Sequence, residues 1–364
     1  MVATVNHILH RTYYEEGGKN AWISNASGGN NAQLLVKPMP LIQRESQTCH
    51  ILLFSRNNTM SKLSASTRNA IGCPMVGFGT FQMSNEEAEK SVAEALKVGF
   101  RHIDSAEGYN NEVGTGKALA ACGIPREELF ITTKVFPGYK AWGSPEKSYD
   151  DTIAACKKSL KELQVDYVDL YLIHTPGSST RIEQWKALVE LKKLGLAKNI
   201  GVSNYDEQHL KEIEDAGLPK PDANELEFHP ICAQAKMTPI MDAKGIAKVA
   251  YSSLATLSSW RTKEGQGGEV KADTKAEAQK VQAEIAKKLN VAEGKLLLRW
   301  GMQRGYAVLT KSTTPSRIAG NFDLFDFEIP EEDMAKLNAL DKGEHVAWSN
   351  YGMNPQALDV PLAT

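Results

Sequence analysis

The chain has 364 residues, 42% of them hydrophobic and 24% charged, an ordinary globular composition. Lys and Arg total 42 and Asp and Glu 44, a net charge of −2, so no basic excess draws in nucleic acid or an anionic membrane. No apolar run approaches the ~20 residues of a spanning helix. The cysteines (Cys49, Cys73, Cys122, Cys156, Cys232) are odd in number and show no Cys-x-x-Cys spacing. That argues against a disulfide framework or a zinc site and predicts small buried side chains in a reducing, cytoplasmic compartment.

Residues 1–60 carry Gly28, Gly29, Asn30 and Asn31, scattered Ser and Asn, and no sustained period. They are expected to form a disordered extension. From there the texture is regular, and residues 61–364 are expected to form one domain. Leu63 to Met75 alternates around Arg68-Asn69, which predicts a hairpin. Short apolar runs follow at Val76–Gly79, Arg101–Asp104, Phe130–Lys134, Val168–His174, Asn199–Ser203, Glu225–His229, Lys248–Ser252 and Ala307–Lys311. Amphipathic helical stretches separate them, among them Glu86–Val98, Tyr149–Leu163, Ile182–Leu194 and Ala276–Leu289. Ser84 with Glu87 three residues later predicts a capping box, and Gly99 a helix stop.

Alternation of strand and helix with no antiparallel interruption predicts an α/β protein of the (β/α)8 TIM-barrel class, with an N-terminal β-hairpin. An open dinucleotide-binding sheet would carry Gly-x-Gly-x-x-Gly after its first strand; Gly77-Phe78-Gly79-Thr80 does not fit.

Barrel chemistry sits at the C-terminal strand ends. There lie Asp104, Lys134, His174, Ser203, Asn204, His229, Tyr251, Ser252, Lys311 and Ser312, with Tyr109 in the loop five residues past Asp104. Carbonyl reduction needs a proton donor, and a free tyrosine is a poor one near neutral pH. An ammonium beside it lowers its pKa. Lys134 is placed to do this, held by Asp104, with His174 donating to the substrate oxygen.

The segments GFRHIDSAEGY (99–109), ITTKV (131–135), DLYLIH (169–174), GVSN (201–204) and KSTTPSR (311–317) resemble the aldo-keto reductase family over residues ~62–345. The resemblance implies reduction of aldehydes or ketones by NADPH, bound extended across the barrel mouth. It places the catalytic set on Asp104, Tyr109, Lys134 and His174. Carboxamide contacts fall on Ser203, Asn204 and Glu225, and the ring beneath the nicotinamide on Tyr251. Ser252 and Leu254 would line the pyrophosphate, with Gly79, Thr80 and Asp104 also in the cofactor set. Lys311, Ser312 and Arg317 would hold the 2′-phosphate and Asn321 the adenine. Phe81, Trp142 and His174 are the substrate-side residues. Two positions depart from the family pattern. Glu225 stands where glutamine is usual, and Gly320 where an acidic residue is usual. A carboxylate at 225 either favours the oxidised, cationic ring or points at a local cation such as Lys248.

Each site residue also has a plainer reading. Asp104 and Lys134 alone would make a buried ion pair, Tyr251 a core residue, Lys311 and Arg317 solvated charges. His102 and His229 read as hydrogen-bonded structural histidines, and Trp348 as packing. Two rival functions stand beside the reductase. One is a metal-dependent barrel hydrolase using His102, Asp104, His174 and His229; it leaves Lys311 and Arg317 unexplained, and the expected metal set is empty. The other is a nucleotide-sensing binding module with negligible turnover. The short segment between His174 and the next helix resembles the compact members of the family and predicts a relatively open mouth that admits small aldehydes, α-keto compounds or sugars. Oligomeric state is not legible.

Overall fold

The computed structural model describes residues 15–16, 19–20, 63–258, 272–348, 354–358 and 360–363. Chain packing divides the protein into two compact units, residues 1–59 and 60–364. In the first unit a two-strand antiparallel ladder pairs Glu15 with Asn20 and Glu16 with Lys19. The expected disorder of residues 1–60 otherwise lies outside the described residues, as does Cys49.

In the second unit, among the described residues, eight parallel strands close into a barrel. In chain order they are β1 (Val76–Gly79), β2 (His102–Asp104), β3 (Phe130–Val135), β4 (Val168–Ile173), β5 (Ala197–Ser203), β6 (Ala223–Glu227), β7 (Ala247–Tyr251) and β8 (Ala307–Thr310). Pairing of Val308 with Val76 closes the ring. The (β/α)8 expectation is therefore met. Strand ends shift by a residue or two. β6 stops at Glu227 because His229, just before Pro230, turns away into an isolated bridge with Cys232.

Helices α1 (Asn85–Val98), α2 (Glu112–Ala121), α3 (Tyr149–Leu163), α4 (Arg181–Lys193), α5 (Glu207–Asp215), α6 (Met237–Lys244), α7 (Ala272–Leu289), α8 (Glu293–Gln303), α9 (Pro315–Phe322) and α10 (Glu331–Asn338) cover it. Ser84 and Glu87 form the capping box of α1, and Gly99 ends it with its N–H on Ala95 O at 3.1 Å. No helix among the described residues is long and apolar enough to cross a membrane.

The expected N-terminal hairpin is reduced to one bridge, Arg68 to Pro74. Its turn falls later than Arg68-Asn69, because Asn69 Oδ1 accepts from the N–H groups of Ile71 and Cys73, both at 3.1 Å. A side chain that captures two backbone donors sets the turn itself. The turn delivers Cys73 against the barrel floor, where its thiol meets His102 Nδ1 at 3.4 Å.

Side chains alternate across each strand, and that rule builds two cores. Outward residues such as Tyr171, Ile173 and Val202 pack under the helices. Inward ones such as Leu170, Leu172, Val249 and Leu309 fill the barrel. Phe228 points outward and stacks on Tyr306 (centroids 3.7 Å) and Trp300 (4.6 Å), which pins the end of β6 to α8. Above the inner apolar layer the inward positions turn polar.

The helices pack closely enough to need glycine at Gly114, against α1, and at Gly116, against α3. A Cβ at Gly116 on α2 would lie 2.2 Å from Glu162 O and 2.7 Å from the Leu163 carbonyl carbon. Backbone cannot give way there. Gly116→Ala is expected to cost ~1–3 kcal/mol through overpacking, although alanine is the better helix former by roughly 1 kcal/mol. The urea midpoint measures this. An unchanged or raised midpoint would show that α2 and α3 can move apart freely.

Candidate active site

Lys134, on β3, is fully buried. Its Nζ donates to Asp104 Oδ1 at 2.5 Å and to Ser105 O at 3.1 Å. Glu225 Oε1, on β6, lies 3.3 Å from the same nitrogen. Burial opposes the lysine charge, but Asp104, Glu225 and Tyr109 outweigh it and hold the ammonium above the usual lysine range. Burial, reinforced by the Asp104 charge and opposed by Lys134, pushes Glu225 up to about 8. Asp104 is also raised by burial, against the pull of Lys134.

Tyr109 follows β2 in the short helical turn Glu107–Tyr109. Lys134 Nζ lies 5.4 Å from its ring centroid, the His174 ring stands edge-on at 5.6 Å, and Phe81 lies at 5.0 Å. Lys134 pulls the phenol pKa down, as expected, but burial is the larger effect, and Asp104 and Glu225 add to it. The phenol therefore sits above its ordinary range. His174 is held down at about 3 by burial and by Lys134, so it is a neutral ring. Its backbone bonds both neighbouring elements: the N–H to Val135 O at 3.1 Å and the carbonyl to Asn204 Nδ2 at 3.0 Å.

Asn204 anchors the next sector in a left-handed conformation (φ 64°). Its Nδ2 also bonds Ser203 Oγ at 3.0 Å, and its Oδ1 accepts from Tyr251 OH at 2.6 Å. Ser203 Oγ donates to Glu225 O at 2.9 Å. Lys248, the cation considered for Glu225, is turned away. Tyr251 and Val249 point inward on β7, so Lys248 points out and pairs with Asp242 at 2.6 Å.

These groups open onto one cavity of about 530 Å³. Asp104, Tyr109, His174 and Glu225 line it, as do Ser203, Asn204 and Tyr251. So do Gly79, Phe81, Trp142, Ser252, Leu254 and Lys311. Lys134 lies beneath the wall rather than on it. Thr80 is also off the wall; its hydroxyl is spent on Asp104 O and Asn111 Oδ1, which fastens the first two strand ends together. Ser312 accepts from the Thr314 N–H just ahead of α9, and Arg317 is exposed on that helix with Asn321 further along it. None of these three reaches the cavity wall. His102 bonds Thr132 at 3.0 Å and Cys73, and His229 bonds Glu227 at 2.9 Å. Both are thus engaged as structural histidines, and no group of three or more metal-type side chains assembles among the described residues.

The wall has one contributor that sequence reasoning assigned to packing. Trp348, in the C-terminal segment, lines the cavity, stacks on Trp142 (centroids 6.2 Å) and donates to Tyr251 OH at 3.0 Å. Glu227 positions it. This buried carboxylate accepts from the N–H groups of Val346 at 2.7 Å and Ala347 at 2.9 Å, and from His229 and His345. Its pKa stays well below the usual carboxylate range, because those partners outweigh burial. Further on, Arg181 donates to Val360 O at 2.7 Å, and His209 meets Leu358 O at 2.9 Å. The segment between β4 and α4 is short, as expected, but the mouth is not bare. The Trp142–Trp348 pair walls it. The only signal in the sequence was an aromatic residue in a tail.

A family model described as the aldo/keto reductase family matches residues 70–342. Among curated proteins the chain is similar to a glyoxal reductase of Bacillus subtilis strain 168, 39% identical over 302 residues, 82% of this chain and 99% of that protein. It is also similar to the methylglyoxal reductase DkgA of Escherichia coli K12, 38% identical over 275 residues, 75% of this chain and 91% of that one. Among solved structures it resembles an aldo/keto reductase from Brucella melitensis (TM-score 0.65, 36% identity, 76% of this chain and 98% of that one). A Bombyx mori aldo-keto reductase in complex with NADP gives a TM-score of 0.66 at 30% identity, covering 78% of this chain and 94% of that one.

The Glu227 anchor yields a measurable expectation. Glutamine at 227 replaces one of the two accepting oxygens with a donor, which spoils a bond to His229 or His345, and removes a buried charge. Hydrogen bonds to charged groups contribute ~1.5–3 kcal/mol each, so Glu227→Gln is expected to lower unfolding stability by at least ~2 kcal/mol. KM for the carbonyl substrate should rise more than kcat falls, because Trp348 loosens. A variant with an unchanged urea midpoint and unchanged KM would sink the anchoring role.

Proposed function

Because this chain belongs to the aldo/keto reductase family, we propose that it reduces small aldehydes carrying a second, adjacent carbonyl, of the glyoxal and methylglyoxal type, with NADPH. Carbonyl reduction is the activity of the family and of the relatives named above; the substrate class and the choice of NADPH are the proposal. The observation that carries it is the convergence of Asp104, Lys134, Tyr109 and His174 beneath one cavity. The Phe81, Trp142 and Trp348 wall limits the carbonyl-side space to a small molecule.

The residues fit a nicotinamide cofactor on one internal criterion. His174 Nδ1 is a buried polar atom without a bond inside the protein, and such an atom calls for a polar partner. Tyr251, fixed through its hydroxyl, offers a ring face for the nicotinamide, and Ser203, Asn204 and Glu225 the carboxamide contacts. Lys311 and Arg317 would meet the 2′-phosphate at the start of α9, where the helix N-terminus adds its own attraction. When bound, the cofactor supplies the hydride.

The protein's own part is proton handling. Tyr109 carries its proton until negative charge develops on the substrate oxygen, then gives it up. Lys134 stabilises the phenolate that results. Asp104 fixes Lys134 by a charge-assisted bond. Neutral His174 donates an N–H to the same oxygen and orients it.

Two measurements test this reading. Tyr109→Phe keeps the ring and removes the proton; turnover on methylglyoxal should drop at least ~10²-fold, the usual share of a general acid, while the NADPH dissociation constant barely moves. Turnover close to wild type would eliminate Tyr109 as the acid. Arg317→Ala should weaken NADPH at least about tenfold and leave NADH nearly unchanged, because one charge-assisted bond is worth ~1.5–3 kcal/mol. Equal weakening of both cofactors would refute the phosphate contact.

A further inference from the structure

Two carboxyl groups, not one, converge on Lys134. Asp104 takes the ammonium at 2.5 Å and Glu225 stands at 3.3 Å from it. Both side chains are almost wholly buried. Taken as carboxylates, Asp104 Oδ2 and Glu225 Oε2 each lack any donor. Both close on the same nitrogen, so two carboxyl charges would meet at short range with one ammonium to offset them. One proton resolves the difficulty: it joins the pair and leaves one negative charge against the one ammonium. Like charges this close seldom ionise together.

We infer that Asp104 and Glu225 share a single proton over Lys134, and that loss of this proton makes the site prefer the oxidised, cationic nicotinamide over the reduced, neutral one. The inference rests on the cofactor reading above and adds to it a redox-state selectivity set by proton concentration. With the proton in place the cluster is neutral, and Glu225 behaves as an uncharged side chain toward the carboxamide. Without it the cluster carries one negative charge beside the ring. Burial and the Asp104 charge, which lift Glu225 to about 8, set the window just above neutrality. The groups facing Glu225 are Lys134 on β3, Asp104 on β2, Tyr109 from the loop after β2, Tyr251 on β7 and Cys73 before β1. Burial raises the tyrosines and Cys73 well above their ordinary values, so they stay neutral through this window. The carboxyl pair is left as the titrating unit.

The sign follows from linkage. A cationic ring favours the deprotonated pair, so NADP+ binding expels the proton and NADPH binding does not. The affinity ratio of NADP+ to NADPH therefore rises with pH and levels off above the window. Titration of the 2′-phosphate is common to both forms and cancels in the ratio.

The test is the pair of dissociation constants, from quenching of intrinsic fluorescence by NADP+ and by NADPH. They are measured from about pH 6 to about pH 9.5 at fixed salt, since screening weakens such charges. In wild type the ratio should shift at least ~10-fold toward NADP+ as pH rises, one pKa unit of coupling being a factor of ten. Glu225→Gln should hold the low-pH ratio at every pH. In weak buffer near the midpoint, NADP+ should release a fraction of a proton from wild type and none from Glu225→Gln. A wild-type ratio that is flat with pH overturns the inference by itself, whatever the variant does. So does a pH-dependent ratio that survives in Glu225→Gln. Failure of wild type to bind either nucleotide overturns the cofactor reading, and the inference with it.

Discussion

A lysine ammonium sits inside a barrel with no exposed surface, and the architecture around it follows from the need to keep it charged. Desolvating an ion costs several kcal/mol even after relaxation, and removing one partner of a buried pair costs ~3–5 kcal/mol. Lys134 therefore needs fixed acceptors. Asp104 and Ser105 O supply them from the adjacent strand end and Glu225 from across the barrel. Because β2, β3 and β6 each contribute, the site exists only when the ring of strands is closed. Folding and site assembly are one event here.

Strand alternation carries the rest. With inward positions two residues apart, β3 stacks Phe130, Thr132 and Lys134 from floor to mouth, and β6 stacks Ala223, Glu225 and Glu227. The lower layer is apolar, with Leu170, Val249 and Leu309 filling it. The upper one holds the ionisable groups in a low-dielectric setting that magnifies each charge. The same alternation explains why Lys248 had nothing to offer Glu225. Its neighbours Val249 and Tyr251 belong to the inside of the same strand, and a slip of one residue reverses the face.

Residues close in sequence to a strand end were legible; partners assembled by closure were not. The strand candidates fell within a residue or two of the observed elements, because each is a short apolar run set off from a stretch of helical period, and period is a local signal. The grouping of Asp104, Lys134, Tyr109 and His174 followed from the rule that barrel chemistry gathers at one face. The second carboxyl on Lys134 did not follow, since nothing in the run from Ala223 to Glu227 says which strand lies opposite. The Glu227 anchor was equally hidden. Its partners Val346 and Ala347 contribute backbone N–H groups, which every residue has, so composition carries no trace of them. The turn at Asn69 was misplaced by a few residues because an asparagine side chain bonding forward overrides a pattern of alternation.

Net direction of the Tyr109 phenol bears on what the site does best. An ammonium nearby suggests an acidified tyrosine, but burial and two carboxyl groups more than offset it. A phenol that holds its proton firmly is not thereby a worse donor in this reaction. In the role proposed for it, the base it must satisfy is an alkoxide forming on the substrate, far stronger than a phenolate, so transfer remains downhill once charge has begun to move. What burial removes is premature ionisation. A phenolate in the resting site would waste the donor and would face the two carboxyl groups. Neutral His174 follows the same logic. An imidazolium there would compete with Tyr109 as the acid and would repel Lys134, whereas a neutral ring can only donate a hydrogen bond and orient. Charge beside Tyr109 and His174 is thus confined to the Lys134 ammonium and its counter-ions. Tyr109 and His174, the groups proposed to meet the substrate oxygen, both start neutral, and that is the arrangement suited to a reaction whose charge appears only as the carbonyl oxygen accepts electrons.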